Sequence, residues 1–189
     1  LNAASNILAC GMKPRAVYLW TLPLFHCNGW CFAWSIAASG GTNICLRRVD
    51  PVLIFQYIAE HKVDYFCGAP IVLSMLINTP EEQRIHFEHR VEVMVAGAAP
   101  PAAIIEGMRH IGINVTHVYG LTETYGPSAL CASQAGWSDL SIQEQAQLHS
   151  RQGVPYPLQD GMKVLDPDTM QPVPHDGQTM GEIMFRGNI

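Results

Sequence analysis

The stretch VEVMVAGAAPPAAIIEGMRHIGINVTHV, residues 91–118, decides the fold of this chain. Its first part, residues 91–96, is an apolar run that predicts a buried strand. Residues 101–111 repeat large apolar side chains at the spacing of helical turns, which predicts a helix with one buried face. Residues 114–118 return to a strand pattern. Strand, helix and strand in this order predict a βαβ unit with two parallel strands.

The same alternation extends towards the N-terminus. Apolar runs with β-branched and aromatic residues predict earlier strands, and segments with helical spacing predict the helices between them. One helix has a clear start, because Asp50 suits the N-cap and Pro51 suits the first helical position. The predicted strands are residues 17–22, 42–46 and 64–67, and the predicted helices are residues 30–39, 50–58 and 70–78. The chain is therefore predicted to be α/β, with a parallel sheet and helices on both faces.

The pattern changes after the last strand of this predicted parallel sheet. Residues 141–150 predict a polar helix, and the short runs at 162–165 and 181–185 predict antiparallel strands. We therefore expect an α/β unit over residues 1–150, followed by the start of a β-rich unit over residues 151–189.

Composition and charge exclude several classes of function. The chain has 189 residues, of which 48% are hydrophobic and only 14% charged, so many segments must be buried on both faces. Its net charge is −5 and it has no cluster of Lys and Arg, which argues against binding to nucleic acid or to an anionic membrane. No apolar run approaches the roughly 20 residues that a transmembrane helix needs.

The six cysteines favour a reducing compartment. They form no Cys-x-x-Cys pair, and several lie in apolar runs, where a thiol packs as a small hydrophobic side chain. This usage favours the cytoplasm over an oxidising compartment. A zinc site formed by His26, Cys27 and Cys31 is a poor interpretation, since these residues supply at most three ligands in a spacing that matches no standard site.

Four loops are expected at one edge of the sheet. In open α/β sheets, ligands bind outside the carboxyl ends of the strands. The loops that follow predicted strands are residues 23–30, 68–70, 97–101 and 119–127. A ligand site is therefore predicted where these four loops meet.

The last of these loops carries the most chemistry. Thr122 and Thr124 supply hydroxyl donors, and Glu123 supplies a hard oxygen ligand. Tyr119 supplies an aromatic plane, and Gly120 permits close backbone approach. An adenine nucleotide needs such a set, because Mg²⁺ takes one or two carboxylates together with phosphate oxygens. The alternative is that the Thr-Glu-Thr sequence only caps a turn and that Tyr119 belongs to the core.

Two other loops have both a functional and a structural interpretation. Residues 97–101 offer small side chains and a rigid turn on which a flat ring could pack, but a tight strand-to-helix connection explains them equally well. His26 and Trp30 could line a pocket, or His26 could be a structural histidine. Neither loop decides the function alone.

Taken in order, these segments resemble the AMP-forming acyl-CoA synthetases of the adenylate-forming superfamily. YGLTET at 119–124 resembles the nucleotide motif of that family, and GAAP at 97–100 resembles its adenine-side loop. GEIMFRG at 181–187 resembles its structural strand motif. LPLFHCNGW at 22–30 is similar to the acyl-pocket segment of the branch that acts on medium-chain, short-chain and methylthio-propionate acids.

The resemblance implies a role for each matching residue. Thr122 would hold the α-phosphate and Glu123 would ligate Mg²⁺, which makes them the candidate catalytic residues, and Tyr119 would stack on adenine. The other implied nucleotide-binding residues are Gly97, Ala98, Ala99, Pro100 and Gly120, and the implied substrate pocket is His26, Trp30, Gly120 and Leu121. The implied ligands are ATP or AMP, Mg²⁺, coenzyme A and a small-molecule carboxylic acid.

The implied reaction joins the acid to coenzyme A through an acyl-adenylate. The uncharged residues around 27–31 favour a simple fatty or aryl acid. Two alternatives stay open, an adenylating module for an amino or aryl acid and a non-catalytic α/β nucleotide-binding module.

The resemblance also implies parts outside this chain. A phosphate-binding loop with its Lys would lie upstream of Leu1, and a ribose-binding Asp would lie beyond Ile189. A C-terminal domain with the catalytic Lys would follow. Residues 1–189 are therefore expected to be an interior piece that does not turn over alone.

Overall fold

The strands and helices follow the predicted alternation, with an additional helix at the start of the chain and two additional strands, Gly126–Leu130 and Val154–Pro155. The structure is a computed structural model that describes residues 1–187. The strands are β1 (Val17–Trp20), β2 (Thr42–Cys45), β3 (Tyr65–Gly68), β4 (Val91–Val95), β5 (Ile113–Leu121), β6 (Gly126–Leu130), β7 (Val154–Pro155), β8 (Gly161–Leu165) and β9 (Glu182–Arg186). The helices are α1 (Asn2–Cys10), α2 (Cys27–Trp30), α3 (Phe32–Ala38), α4 (Pro51–His61), α5 (Pro70–Ile77), α6 (Ala102–His110) and α7 (Ile142–His149).

Seven strands form one sheet in the order β2-β1-β3-β4-β5-β6-β7. Strands β1 to β5 pair in parallel, with Val91 of β4 opposite Ile113 of β5. Strands β6 and β7 add to the β5 edge in antiparallel orientation. The predicted α/β class with a mostly parallel sheet is therefore confirmed. Because parallel strands end at the same edge, the loops after β1, β3, β4 and β5 emerge side by side.

The sheet is buried on both faces because neighbouring residues of a central strand point to opposite sides. Leu19 of β1 packs into the core formed with α4, α5 and α6. Tyr18 and Trp20, its neighbours, pack into the core that includes residues of α1 and α3. Phe66 and Cys67 of β3 divide between the two cores in the same way. This two-sided burial accounts for the continuous apolar runs and the low charge.

Two helices begin near the positions that the sequence predicts. The Asp50 carboxylate accepts hydrogen bonds from the backbone N–H groups of Val52 and Leu53, at 3.1 and 3.3 Å, and so caps α4. In α7, Ser141 and Glu144 form a reciprocal capping box. The predicted polar helix at 141–150 is therefore present.

The prediction that residues 119–127 form a loop is wrong for most of that range. Strand β5 continues to Leu121 and turns back into β6, with a register shift between Tyr119 and Gly120. A Cβ atom at Gly120 would overlap the carbonyl oxygen of Gly126, so this close strand approach requires glycine. The glycines that favoured a loop in the sequence instead permit a tight hairpin.

The predicted helix at 30–39 also differs in the structure. Regular helix α3 begins at Phe32, and the preceding turn, α2, has left-handed backbone geometry. This turn lies at the candidate site and is described below.

The chain after residue 150 contributes to two sheets. Ala129 of β6 pairs with Pro155 of β7, so β7 belongs to the large sheet. Strands β8 and β9 form a separate antiparallel pair. The division into units at residues 1–150 and 151–189 stays a prediction. The last two residues of the second unit, 188–189, lie outside the described part of the chain.

Two global features concern the membrane and the cysteines. Over residues 1–187, no helix combines the length and the apolar character needed to cross a membrane. All six cysteines lie in this described part, and each is a free thiol.

Candidate active site

The carboxyl ends of β1, β4 and β5 surround a cavity of about 390 Å³. Its lining residues are His26, Cys27, Trp30, Ala96, Gly97, Gly120, Leu121, Thr122, Glu123, Gly126 and Pro127. Three of the four predicted loops therefore supply its walls. The fourth, residues 68–70, adjoins β4, where the carbonyl oxygen of Gly68 accepts from the N–H of Ala96 at 3.4 Å, but it contributes no lining residue among those described.

A second cavity of about 200 Å³ adjoins the first. The two share Gly97, Gly120 and Leu121, and Ala98 and Ala99 line only the second. Glu123 and Ala98 are thus on the walls of adjoining cavities at one edge of the sheet. Pro100, which the resemblance groups with these residues, is buried and lines neither cavity.

Tyr119 lies in strand β5, close to the second cavity. It is half-buried, and its ring is nearly parallel to the ring of Phe185 in β9, with centroids 6.2 Å apart and an interplanar angle of 18°. Its predicted role in stacking on adenine stays a prediction. The contact with Phe185 joins the β8–β9 pair to the edge of the site.

The Thr-Glu-Thr turn (Thr122–Thr124) divides its side chains between the cavity and the interior. Thr124 is buried, and its hydroxyl accepts from the N–H of Leu121 at 2.9 Å and donates to the carbonyl oxygen of Gly126 at 2.8 Å. The prediction that Thr124 offers its hydroxyl to a ligand is therefore wrong, because that hydroxyl closes the turn. Thr122 and Glu123 are exposed on the cavity wall.

Glu123 fits the expectation of a single carboxylate for Mg²⁺. Its side chain is exposed on the cavity wall, and it makes no hydrogen bond or ion pair with any other described residue. Over residues 1–187, no group of three or more His, Cys, Asp and Glu side chains is close enough to hold a metal ion. This arrangement suits a metal whose other ligands are phosphate oxygens and water, which is the usual coordination of Mg²⁺ at phosphate sites.

The left-handed turn (residues 27–31) forms a neighbouring part of the cavity wall. All five residues have positive φ, between 45° and 66°, and only Gly29 lacks a side chain. Such a conformation costs roughly 1–2 kcal/mol for each non-glycine residue. Strain of this kind persists only when surrounding contacts impose it, and it concentrates at functional sites. The turn places Cys27 and Trp30 on the cavity wall.

Two buried asparagines of α1 hold the left-handed turn and the Thr-Glu-Thr turn. The Asn6 amide donates to the carbonyl oxygen of Trp30 at 2.9 Å, and the Asn2 amide donates to those of Pro127 and Thr124, at 3.0 and 3.3 Å. Asn2 and Asn6 are four positions apart and therefore share a helix face. The sequence interpretation missed both residues and the whole of α1. The spacing of two amides by four positions was the one available signal.

Asn6 is itself positioned by a residue from the far end of the chain. The hydroxyl of Tyr156 donates to the Asn6 side-chain oxygen at 2.7 Å, and all of these groups are buried. The Asn6 side chain therefore donates through its nitrogen and accepts through its oxygen, and these two hydrogen bonds define its orientation.

The buried thiols near the site are not nucleophiles at neutral pH. Burial raises the pKa of Cys31, and it raises the pKa of Cys67 to about 12. Both thiols are therefore protonated, and a thiol is a much weaker nucleophile than a thiolate. The cavity wall offers hydroxyl, carboxylate, imidazole and backbone groups, together with the thiol of Cys27.

Sequence comparison finds relatives that match this whole chain. It is 52% identical over 190 residues to the peroxisomal acetate/butyrate–CoA ligase of Arabidopsis thaliana, which covers 100% of this chain and 33% of that protein. It is 50% identical over 189 residues to the acetate–CoA ligase of Humulus lupulus, again covering 100% of this chain and 33% of the relative. The chain thus spans about a third of the length of the curated relatives it matches.

Structural comparison finds the same fold in more distant proteins. O-succinylbenzoate coenzyme A synthetase from Bacillus subtilis, in complex with AMP, matches 98% of this chain and 35% of its own with a TM-score of 0.75 at 23% identity. The N-terminal domain of FACL13 from Mycobacterium tuberculosis matches 88% of this chain and 40% of its own with a TM-score of 0.74. A family model described as "AMP-binding enzyme" matches residues 1–189. The chain therefore belongs to the AMP-binding enzyme family.

Proposed function

We propose that this chain forms the nucleotide-binding and acid-binding face of an ATP-dependent acid–CoA ligase. The observation that carries the proposal is the single cavity into which the Thr-Glu-Thr turn, the loop after β4 and the left-handed turn all project. Membership of the AMP-binding enzyme family and the names of its relatives support the same activity.

The proposed reaction has two steps. A carboxylate oxygen attacks the α-phosphorus of ATP, and the bond to the β,γ-diphosphate breaks to give acyl-adenylate and pyrophosphate. The thiolate of coenzyme A then attacks the acyl carbon and displaces AMP. The first step needs little proton transfer, so catalysis depends on positioning the reactants and stabilising charge at phosphorus.

Thr122 and Glu123 would act at the triphosphate. The Thr122 hydroxyl, exposed on the cavity wall, would donate to an α-phosphate oxygen. The Glu123 carboxylate would hold Mg²⁺, which supplies positive charge to the phosphate oxygens. A solved structure of O-succinylbenzoate coenzyme A synthetase, which has a similar fold, holds both ATP and magnesium, which supports the choice of these two ligands.

The adenine and acid would occupy neighbouring parts of the two cavities. Residues 97–99 and Tyr119 line the smaller cavity, where the loop backbone and the tyrosine ring would flank the adenine, with Pro100 supporting the loop from the buried side. His26 and Trp30 line the larger cavity and would border the acid and coenzyme A, together with Gly120 and Leu121.

We propose a short aliphatic acid as the substrate. Among the described lining residues of the larger cavity, Glu123 is the one carboxylate, and we assign it to Mg²⁺. The acid subsite then has no carboxylate left to pair with a substrate ammonium group. Similar relatives are named as ligases of acetate, butyrate and 4-hydroxybutyrate, which supports a small aliphatic acid.

Pyrophosphate release by the full-length protein tests the function. ATP, Mg²⁺ and coenzyme A would be supplied with acetate, butyrate, cinnamate or alanine, one acid at a time. We expect turnover with acetate or butyrate and formation of the matching thioester. Turnover only with alanine or cinnamate would contradict the proposed acid, and no turnover with any acid would favour a non-catalytic nucleotide-binding module.

The compartment stays a prediction. Six free thiols agree with a reducing compartment such as the cytoplasm, whereas one similar relative is named as peroxisomal.

A further inference from the structure

One phenol oxygen joins the two turns that line the larger cavity. The Tyr125 hydroxyl oxygen accepts from the side-chain amide of Asn28 at 2.9 Å and from the indole N–H of Trp34 at 3.0 Å. Tyr125 directly follows the Thr-Glu-Thr turn and is itself left-handed, with φ of 54°. Asn28 lies within the left-handed turn, and Trp34 lies in α3, immediately after it.

The geometry of Trp34 indicates that this contact is specific. Its side chain is 56% exposed, so burial in the core does not explain its orientation. The hydrogen bond to Tyr125 directs the indole N–H towards the site instead of towards solvent. The same oxygen thus holds the left-handed turn and the helix that follows it.

A second contact joins the same two turns at the cavity wall. The Cys27 thiol lies 3.5 Å from the Thr122 hydroxyl oxygen. The left-handed turn therefore touches the hydroxyl that we assign to the α-phosphate. Any shift of this turn would change the position of Thr122 and the shape of the acid subsite together.

We propose that Tyr125 is a positioning residue that couples the acid subsite to the nucleotide subsite. The left-handed conformation is unfavourable for Cys27 and Asn28, so the turn keeps its position only through contacts with its neighbours. The Tyr125 hydroxyl makes the position of that turn depend on the Thr-Glu-Thr turn. A ligand that orders one turn therefore favours binding at the other. This inference rests on the proposed function.

The test measures this coupling in the full-length protein. The KM for acetate or butyrate would be determined by pyrophosphate release, at ATP well below its own KM and at saturating ATP. In the unmodified protein we expect the acid KM to fall roughly fivefold or more at saturating ATP, which is the lower range of measured couplings between sites. Tyr125→Phe keeps the ring and removes the acceptor, and we expect the ratio of the two KM values to approach one.

Two further variants separate coupling from folding. Tyr57→Phe makes the same chemical change on α4, away from the cavity, and should leave the ratio unchanged. Asn28→Gly removes the amide that donates to the Tyr125 hydroxyl oxygen, so it should lower the ratio of the two KM values. Glycine suits the φ of 45° at this position, so the substitution adds no backbone strain. If Tyr125→Phe fails to fold, Asn28→Gly decides the result.

The outcomes distinguish the two proposals. The coupling would be overturned, and the proposed function left intact, if the ratio of the two KM values in Tyr125→Phe equals that of the unmodified protein. If only Asn28→Gly folds, the same comparison is made with that variant. A ratio of one between the two KM values in the unmodified protein would also overturn the coupling and leave the proposed function intact. Pyrophosphate release with none of the acids would overturn the proposed function and this inference with it.

Discussion

Two threonines that are two positions apart, Thr122 and Thr124, have different surroundings in this site. Thr124 is buried, and its hydroxyl is used within its own turn, while Thr122 is exposed on the cavity wall. The capping interpretation therefore applies to Thr124. The role of Thr122 at a ligand stays a prediction, and its hydroxyl lies 3.5 Å from the Cys27 thiol at the cavity wall.

Valine substitutions should separate these two roles. Thr124→Val removes the acceptor of the Leu121 N–H and the donor to the buried carbonyl oxygen of Gly126, which costs about 1–3 kcal/mol of unfolding free energy. Thr122→Val should leave the free energy of unfolding nearly unchanged and lower the rate of pyrophosphate release in the full-length protein. Denaturant unfolding and kinetics would measure the two effects. The assignment is contradicted if Thr122→Val retains full activity.

Glu123 should contribute to catalysis and not to stability. Glu123→Gln removes the charge proposed to hold Mg²⁺, and we expect kcat to fall about a hundredfold with little change in unfolding free energy. Raising the Mg²⁺ concentration should recover part of the loss. Glu81→Gln, at an exposed position outside the cavity, is the matched control. Equal rates in the two variants would remove Glu123 from the proposed mechanism.

Among the elements, β5 carries both structural and site residues. It pairs with β4 in parallel and with β6 in antiparallel orientation, and its end forms the wall shared by the two cavities. His117, in the middle of this strand, joins it to the chain after α7. Its Nδ1 lies 2.9 Å from the carbonyl oxygen of Arg151 and 3.2 Å from that of Ser150. Because carbonyls only accept, Nδ1 must carry a proton.

The buried His117 makes the stability of the fold sensitive to acid. Burial lowers the pKa of His117 below its usual value of 6.5, although the hydrogen bonds to Arg151 and Ser150 act in the opposite direction. Below pH 6.5 the unfolded chain therefore binds a proton at this side chain more readily than the folded protein does. The unfolding free energy should fall as the pH drops through 6.5 towards the lower pKa of the folded state.

Thermal unfolding at about pH 7.5 and about pH 5.5 would measure this effect. His117→Asn keeps a donor near the Nδ1 position and removes the titration, so its loss of stability on acidification should be smaller. The exposed His110→Asn is the control and should behave as the unmodified protein. Burial and the nearby Arg109 lower the pKa of His149 as well, so part of the acid sensitivity should remain. Equal acid sensitivity in all three proteins would contradict the prediction.

At the scale of the whole molecule, this chain matches about a third of the length of its relatives. We expect the purified chain of residues 1–189 to form no acyl-CoA, and the full-length protein to form it. Reaction with ATP, Mg²⁺, coenzyme A and acetate, followed by detection of the thioester, would compare the two. Thioester synthesis by residues 1–189 alone would show that the site described here is sufficient for the reaction.

The fold class and the edge that carries the site follow from local patterns in the sequence. Apolar runs and helical spacing are properties of short segments, so they predicted the parallel strands and the helices between them. The rule that ligands bind at the carboxyl ends of such strands then brought His26, Gly97 and Glu123 to one edge. The cavity contains all three residues.

Only the tertiary structure decided how the site is held together. Asn2 reaches Pro127 across 125 positions of sequence, and Tyr156 reaches Asn6 across 150. No local pattern indicates contacts of this length, because they depend on how the sheet and helices pack. No local pattern predicts the left-handed turn either, because its conformation also depends on packing. Neighbouring contacts hold Cys27 and Asn28 in a conformation that their own backbone preference disfavours.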